Sequence, residues 1–224
     1  MDALPPTHLL RGRANAAGLA LLDAAMDALL GTRKRRVFAN LPADVVELGP
    51  GTGANFRYLA PGTHLAAIEP NPAMHGRLRA RAAQHGIELD LHPVAAERID
   101  LPDACADAVL SSLVLCTVTD PAQVLAEVLR VLRPGGRFAF VEHVAAREGT
   151  LTRRLQHALR RPWAWCFEGC SCERDLATLI RGAGFGSVEL HPYTLRTPVL
   201  VFNTQLAGIA VKKRSGAGPL DGSG

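Results

Sequence analysis

The strongest chemical signal in the chain is Val46-Glu47-Leu48-Gly49-Pro50-Gly51-Thr52-Gly53, with glycine at alternate positions behind a glutamate. Glycines at the end of a strand let a ligand approach the main chain closely and let the chain take positive φ. Glu69 follows about twenty residues on, where an acid ending the next strand accepts both hydroxyls of a ribose. A glycine loop and a ribose acid together describe a nucleoside-containing cofactor lying across the carboxyl edge of a parallel sheet. The spacing Gly49-x-Gly51-x-Gly53 differs from the dinucleotide fingerprint G-x-G-x-x-G, and Glu47 is a poor neighbour for a pyrophosphate. A cofactor with an amino-acid end and no phosphate suits that carboxylate, because its ammonium needs anionic partners. S-adenosyl-L-methionine meets both requirements.

A second set of reactive side chains lies further along. His143 ends a predicted strand, at the edge where open α/β sheets bind ligands, and is the candidate general base. Its bland alternative is a structural hydrogen-bond partner. Glu142 either orients His143 or points into a helix layer. The segment from Arg160 to Cys172 holds Trp163, Trp165, Phe167 and three cysteines, an apolar cover suited to a small apolar acceptor. Packing as plain core is the competing reading for the three aromatics. Cys166, Cys170 and Cys172 lack C-x2-C spacing and a second ligand pair, so no metal is expected; buried inert thiols are the simplest reading, with a disulfide or a reactive thiol as the alternative. The remaining histidines are scattered without a ligand pattern.

These residues need a scaffold, and the hydrophobic pattern supplies one. Strands are predicted at Asp44–Leu48, His64–Glu69, Glu88–Val94, Ala106–Ser112, Arg137–Val144, Phe185–His191 and Leu206–Lys212. Helices are predicted at about Ala54–Leu59, Pro72–His85 and Pro121–Leu132. Strand and helix in alternation give a Rossmann-like α/β fold, a seven-stranded, mostly parallel sheet with helices on both faces. The last two strands form an antiparallel hairpin. A helix over Thr7–Leu30, a break at Gly31 or Thr32 and a short basic helix to Asn40 precede this core. Pro198 and the apolar run after it fall near the pocket rim. The division is a helical cap (1–40), a cofactor-binding domain (41–212) and a disordered tail (213–224), with Met1–Pro6 loose.

Composition bounds the possibilities. The chain has 224 residues, 48% of them apolar and 21% charged, enough for a well-developed core without staples. A net charge of +4 is too small for a dedicated nucleic-acid binder. The densest basic run, Arg33-Lys34-Arg35-Arg36, reads as a solvated helix face. The apolar stretch Leu19–Leu30 is interrupted by Asp23 and Asp27 and is too short to span a bilayer. With no secretory leader and an odd count of five cysteines, a cytoplasmic location is expected.

The order Glu47-x-Gly49-x-Gly51-x-Gly53, Glu69, Ala96-Glu97 and Leu132-Arg133-Pro134-Gly135-Gly136 resembles the class I S-adenosylmethionine-dependent methyltransferases. The resemblance implies that Glu47, Gly49, Pro50, Gly51, Thr52, Gly53 and Asn55 surround the methionine end. It implies that Glu69 holds the ribose, that Pro70 and Asn71 flank the adenine, and that Ala96 and Glu97 lie at its edge. Ser112 and Leu113 fall near the sulfonium. Ala95 stands where many relatives carry Asp. Gly51-Thr52-Gly53-Ala54-Asn55-Phe56, Glu69-Pro70-Asn71-Pro72, Leu113-Val114-Leu115-Cys116, Val141-Glu142-His143-Val144 and Phe167-Glu168-Gly169-Cys170 look like the small alkyl-thiol methyltransferases of animals and their bacterial relatives. That closer likeness covers about Arg33 to Lys212. It implies methyl transfer to a small-molecule thiol, with Cys116, Trp163, Trp165, Phe167 and Cys170 at the acceptor. The animal proteins begin with a membrane-anchoring apolar helix, which the charges of this chain's first helix do not match.

Two other functions share the same motifs. O- or N-methylation of a lipid, quinone or phenolic metabolite uses the same loop and Pro-Gly-Gly turn. A protein that binds the cofactor without catalysis also fits. A nucleic-acid methyltransferase does not, because Ser111-Ser112-Leu113-Val114 stands where an N/D-P-P-Y/F/W motif would be.

Overall fold

The computed structural model describes residues 9–214, apart from the side chains of residues 9–17 and 19–22. The expectations for Met1–Pro6 and Ser215–Gly224 lie outside the described residues. The order of elements is α1 (Leu9–Val37), β1 (Asp44–Leu48), β2 (His64–Ile68), α2 (Pro72–His85), β3 (Glu88–His92), β4 (Ala106–Ser112), α3 (Pro121–Val131), β5 (Leu132–His143), α4 (Leu151–Cys166), α5 (Leu176–Gly182), β6 (Ser187–Thr194) and β7 (Thr204–Val211). The strands form a 7-stranded sheet in the order β3-β2-β1-β4-β5-β7-β6. β7 runs antiparallel to both β5 and β6, and the other pairs are parallel. The expected fold, with its reversed end, is the one observed.

Residues that alternate along each strand fill two cores. Val46, Val109, Phe138 and Phe140 pack with α3 and α5, through Val124, Leu125, Leu176 and Ile180. Val45, Leu110, Ala139 and Val141 pack with α1 and α2, through Leu30, Phe38 and Leu78. A strand that is apolar on both faces must be covered on both, which is why central strands here read as unbroken hydrophobic runs. The helices start where their caps dictate. Asn71 and Asp120 accept backbone N–H groups of α2 and α3, and proline follows each cap at the first helical position.

Three local expectations are corrected. α1 does not break at Gly31 or Thr32 but continues as one helix to Val37. A glycine inside a helix costs about 1 kcal/mol, less than the burial of Leu30, Val37 and Phe38 on the sheet returns. The helix expected after the glycine loop is only a 3-10 turn, Phe56–Tyr58, anchored by the fully buried Phe56. β5 begins at Leu132 rather than Arg137. Its register with β4 jumps between Ala106 and Ala108, so the Pro-Gly-Gly segment is accommodated as an irregularity inside the strand.

Candidate active site

The carboxyl ends of β1, β2, β4 and β5 meet at one edge of the sheet, and the residues picked out in the sequence gather there in two groups. The first surrounds the loop after β1. Gly49 and Gly51 have φ of +52° and +59°, backbone that favours glycine. A Cβ at Gly49 would stand 2.7 Å from Val114 Cγ2, whereas a Cβ at Gly51 would meet nothing within 4 Å among the described residues. Gly49 is therefore required by packing, and Gly51 faces open space. Glu69, at the end of β2, fixes the loop: its Oε2 accepts from Gly51 N at 2.9 Å and its Oε1 from Asn71 N at 2.8 Å. Burial raises the pKa of Glu69, opposed by these two backbone donors. Each of its oxygens keeps a lone pair for a further donor.

Glu47 is completely buried at the end of β1. Its Oε1 accepts from Asn55 Nδ2 at 2.7 Å, and its Oε2, also buried, has no hydrogen-bond partner among the described residues. Burial pushes its pKa up to about 7, with the Asn55 hydrogen bond opposing. The Asn55 amide turns its oxygen to Lys34 Nζ of α1, 2.9 Å away. Lys34 is only 7% exposed, and burial lowers its pKa to about 8. The expected solvated basic face thus fails at Lys34. Arg35 and Arg36 are exposed, and Arg33 lies 4.9 Å over the Tyr193 ring. α1 is held in place by Asp23, which pairs with Arg57 and Arg81 at 2.6 Å each, and by Asp27, which pairs with Arg57 and accepts from Tyr58 Oη.

Other residues assigned to the cofactor are distributed as follows. Pro50, Thr52 and Gly53 are buried in the loop, and Pro70 is exposed beside it. Asn71 donates to Glu168 Oε1 at 3.3 Å, which ties the β2 end to the segment after α4. Ala96 is buried in the core. Glu97 accepts from Thr119 N at 2.7 Å, so its carboxylate braces the approach to α3. Ser112 closes β4, and Leu113 follows with φ +61° and donates its N–H to Val141 O.

The second group lies at the end of β5. His143 is fully buried. Its Nε2 meets Val201 O at 2.8 Å and its Nδ1 meets Cys170 Sγ at 3.5 Å. A carbonyl only accepts, so Nε2 carries a proton and Nδ1 is the nitrogen free to exchange one with sulfur. The Trp163 and Phe202 rings pack at 5.8 and 5.3 Å from the imidazole, and Phe167 lies tilted against Trp163 at 4.3 Å. Trp163 Nε1 is buried and has no hydrogen-bond partner among the described residues. The neighbouring Cys116 thiol and His143 together hold the Cys170 thiol well below the ordinary thiol range. The Cys116 thiol is correspondingly raised. Trp165, by contrast, is 71% exposed. All five cysteines are free thiols; Cys170 and Cys172 are buried as expected, whereas Cys166 is exposed.

Glu142 does not orient His143. Its fully buried carboxylate accepts from Ser111 Oγ at 2.6 Å, Val114 N at 3.1 Å and Cys116 N at 3.4 Å. It fixes the loop between β4 and α3, which presents Leu113 and Cys116. Burial raises its pKa to about 6, against these hydrogen bonds. Arg174 holds the same loop from the other side, donating to Leu115 O at 2.6 Å and to Val118 O. Sequence reasoning missed Lys34 and Arg174 as parts of the site. For Lys34 a signal existed, since Leu30, Lys34 and Phe38 share one helical stripe and its neighbours on it are buried. Arg174 had none.

An orphaned buried carboxylate oxygen beside an open glycine loop, with a ribose-competent acid on the next strand, fits an S-adenosylmethionine amino-acid end and nucleoside. With this sheet order and one reversed strand, the chain is a class I S-adenosylmethionine-dependent methyltransferase. Residues 46–140 match the family model described as a methyltransferase domain. The chain is 33% identical over 194 residues to thiol S-methyltransferase TMT1A of Homo sapiens, covering 82% of this chain and 80% of that protein. It belongs to the family of these thiol S-methyltransferases. It is also 29% identical over 147 residues to phosphatidylethanolamine N-methyltransferase of Cereibacter sphaeroides, covering 63% of this chain and 72% of that one. Among solved structures, a possible histamine N-methyltransferase from Thermotoga maritima superimposes with a TM-score of 0.66 at 19% identity, covering 92% of this chain and 100% of that one. No helix among the described residues is long and apolar enough to cross a membrane.

Proposed function

We propose that the protein methylates the sulfur of a small apolar thiol. The observation that carries this reading is the wall at the end of β5, built from Trp163, Phe167, Phe202 and the His143–Cys170 pair, with no carboxylate among the described residues hydrogen-bonded to either of those two. Such a wall favours an uncharged acceptor over an amine, whose ammonium would need an anionic partner. Its likeness to the thiol S-methyltransferases supports the same acceptor. The cofactor supplies an electrophilic methyl group on a sulfonium, an activated leaving group.

The residues of the chain then have two tasks. Glu47, Asn55, the Gly49–Gly53 backbone and Glu69 hold the cofactor, and Pro70, Asn71, Ala96, Glu97, Ser112 and Leu113 surround its nucleoside and sulfonium. The acceptor thiol must lose a proton to become nucleophilic. The Cys170–His143 pair takes it: the proton meets Cys170 Sγ and passes to His143 Nδ1, 3.5 Å away, which holds it until it is released to solvent after methyl transfer, while Nε2 stays fixed on Val201 O. Cys170 relays the proton and His143 holds it. Cys116 and Glu142 hold that acceptor in place. The test is release of S-adenosylhomocysteine from the purified protein with thiols, phenols and amines of matched size. Turnover restricted to thiols, falling about 100-fold in Cys170→Ala, supports the reading. Turnover with amines or phenols only would sink it.

A further inference from the structure

We propose that Lys34 receives the carboxylate of the cofactor's amino-acid end while Glu47 Oε2 receives its ammonium, so that α1 supplies half of a site for a zwitterion. This rests on the reading that the methionine end lies at the glycine loop.

The geometry has three parts. Lys34 Nζ has three protons to donate, and among the described residues its one hydrogen bond is to Asn55 Oδ1. Glu47 has one oxygen committed to Asn55 Nδ2 and one buried without a partner among the described residues. The Asn55 amide stands between them, and no ion pair joins Lys34 to Glu47 among the described residues. Burying an ammonium and a carboxylate apart costs far more than burying them in contact. An α-amino carboxylate, carrying both charges on one carbon, satisfies both groups together. The Asn55 orientation is fixed by the chemistry, since only its oxygen can meet an ammonium and only its nitrogen a carboxylate.

Position supports the same partner. Leu30 and Phe38, on either side of Lys34 along the helix, are buried against the sheet and turn Lys34 inward. Asp23 and Asp27 tie α1 to Arg57, Tyr58 and Arg81, immediately beyond the glycine loop. Within the basic run, Arg33 is engaged over Tyr193 and Arg35 and Arg36 face solvent. Lys34 is therefore the cation of that run that reaches the loop.

The test uses three ligands in calorimetric titrations of the full chain. S-adenosylhomocysteine carries both charges, its decarboxylated analogue keeps only the ammonium, and 5′-methylthioadenosine has neither. Wild type should bind S-adenosylhomocysteine about 10- to 100-fold more tightly than the decarboxylated analogue, the loss expected for one charge-assisted hydrogen bond. In Lys34→Gln, which can keep the bond to Asn55 Oδ1, these two ligands should bind within about twofold of each other, with 5′-methylthioadenosine unchanged. Two results would overturn the proposal: equal affinity of wild type for the two longer ligands, or parallel loss of all three in the variant, which marks a structural role. The wild-type comparison decides even if the variant does not fold. Gly51→Val separates the underlying reading, because it should weaken all three ligands. If it weakens none, the placement at the glycine loop fails, whatever Lys34 does.

Discussion

The two halves of the site are built from different materials. Around the loop after β1, main-chain groups and buried charges do the work: Glu47, Asn55 and Lys34 in one chain, and Glu69 bridging Gly51 and Asn71 in another. At the end of β5, aromatic rings and sulfur surround one imidazole whose Nε2 is fixed on a backbone carbonyl. A polar, backbone-built site recognises one invariant ligand by fixed donors and acceptors. On the proposed function, the apolar wall with its imidazole–thiol pair selects an acceptor by reactivity rather than by fixed polar contacts. The two halves should therefore respond differently to mutation, and that contrast can be broken or sharpened by experiment.

The largest effect is expected on the cofactor side. Gly51→Val puts a branched side chain at φ +59° and into the open space over the loop. S-adenosylhomocysteine affinity should fall at least about 100-fold, read by calorimetry, while the far-ultraviolet spectrum stays that of the folded protein. On the acceptor side, His143→Ala should reduce kcat/KM for thiols roughly 100-fold at pH 7 with cofactor affinity nearly unchanged. A parallel loss of cofactor affinity would erase the distinction between the halves.

Next comes the strut between them. Glu142→Leu leaves Ser111 Oγ and the amides of Val114 and Cys116 without their acceptor. Removing it should cost about 1–3 kcal/mol or more of stability, measured by urea unfolding. A smaller effect follows from the buried acid. The Glu47 pKa of about 7 lies above its ordinary value because burial disfavours the charge. In the cofactor-free protein, stability contributed by this group is greatest below about pH 4.5 and declines as pH rises toward 7, since the folded state holds the proton longer. A cationic ligand end beside Glu47 favours the carboxylate, so S-adenosylhomocysteine binding near pH 7 should release a proton. Titrations in two buffers of different ionisation enthalpy detect this, and Glu47→Gln should remove it. The smallest effect belongs to Trp165→Ala, whose side chain is largely in solvent: activity should change less than about twofold.

How much of this was legible in the sequence divides along the same line. The cofactor side is contiguous: Glu47 to Gly53 is one strand end and its loop, and Glu69 follows after one 3-10 turn and one strand. Sheet and strands were readable because buried parallel strands are apolar on both faces, as in Val45-Val46 and Phe138-Ala139-Phe140-Val141. The acceptor side assembles from segments far apart in the chain. Cys116, His143, Cys170 and Val201 touch only because β7 returns beside β5 and the segment after α4 folds onto the loop after β4. No local pattern reports that convergence. Trp163 and Trp165, two residues apart, were read alike, yet one packs beside His143 and the other faces solvent. Gly31 misled for a related reason, as local helix breaking was outweighed by burial of α1 on the sheet. Glu142 was visible as an acid in an apolar strand, but its partners were not.

The central claim is that the acceptor is a small thiol. The most direct test is initial-rate release of S-adenosylhomocysteine with matched aliphatic thiols, phenols and amines at pH 7. The account predicts turnover with the thiols and, from Cys170→Ala, its loss with S-adenosylhomocysteine affinity retained. Turnover with amines or phenols and none with thiols would contradict it.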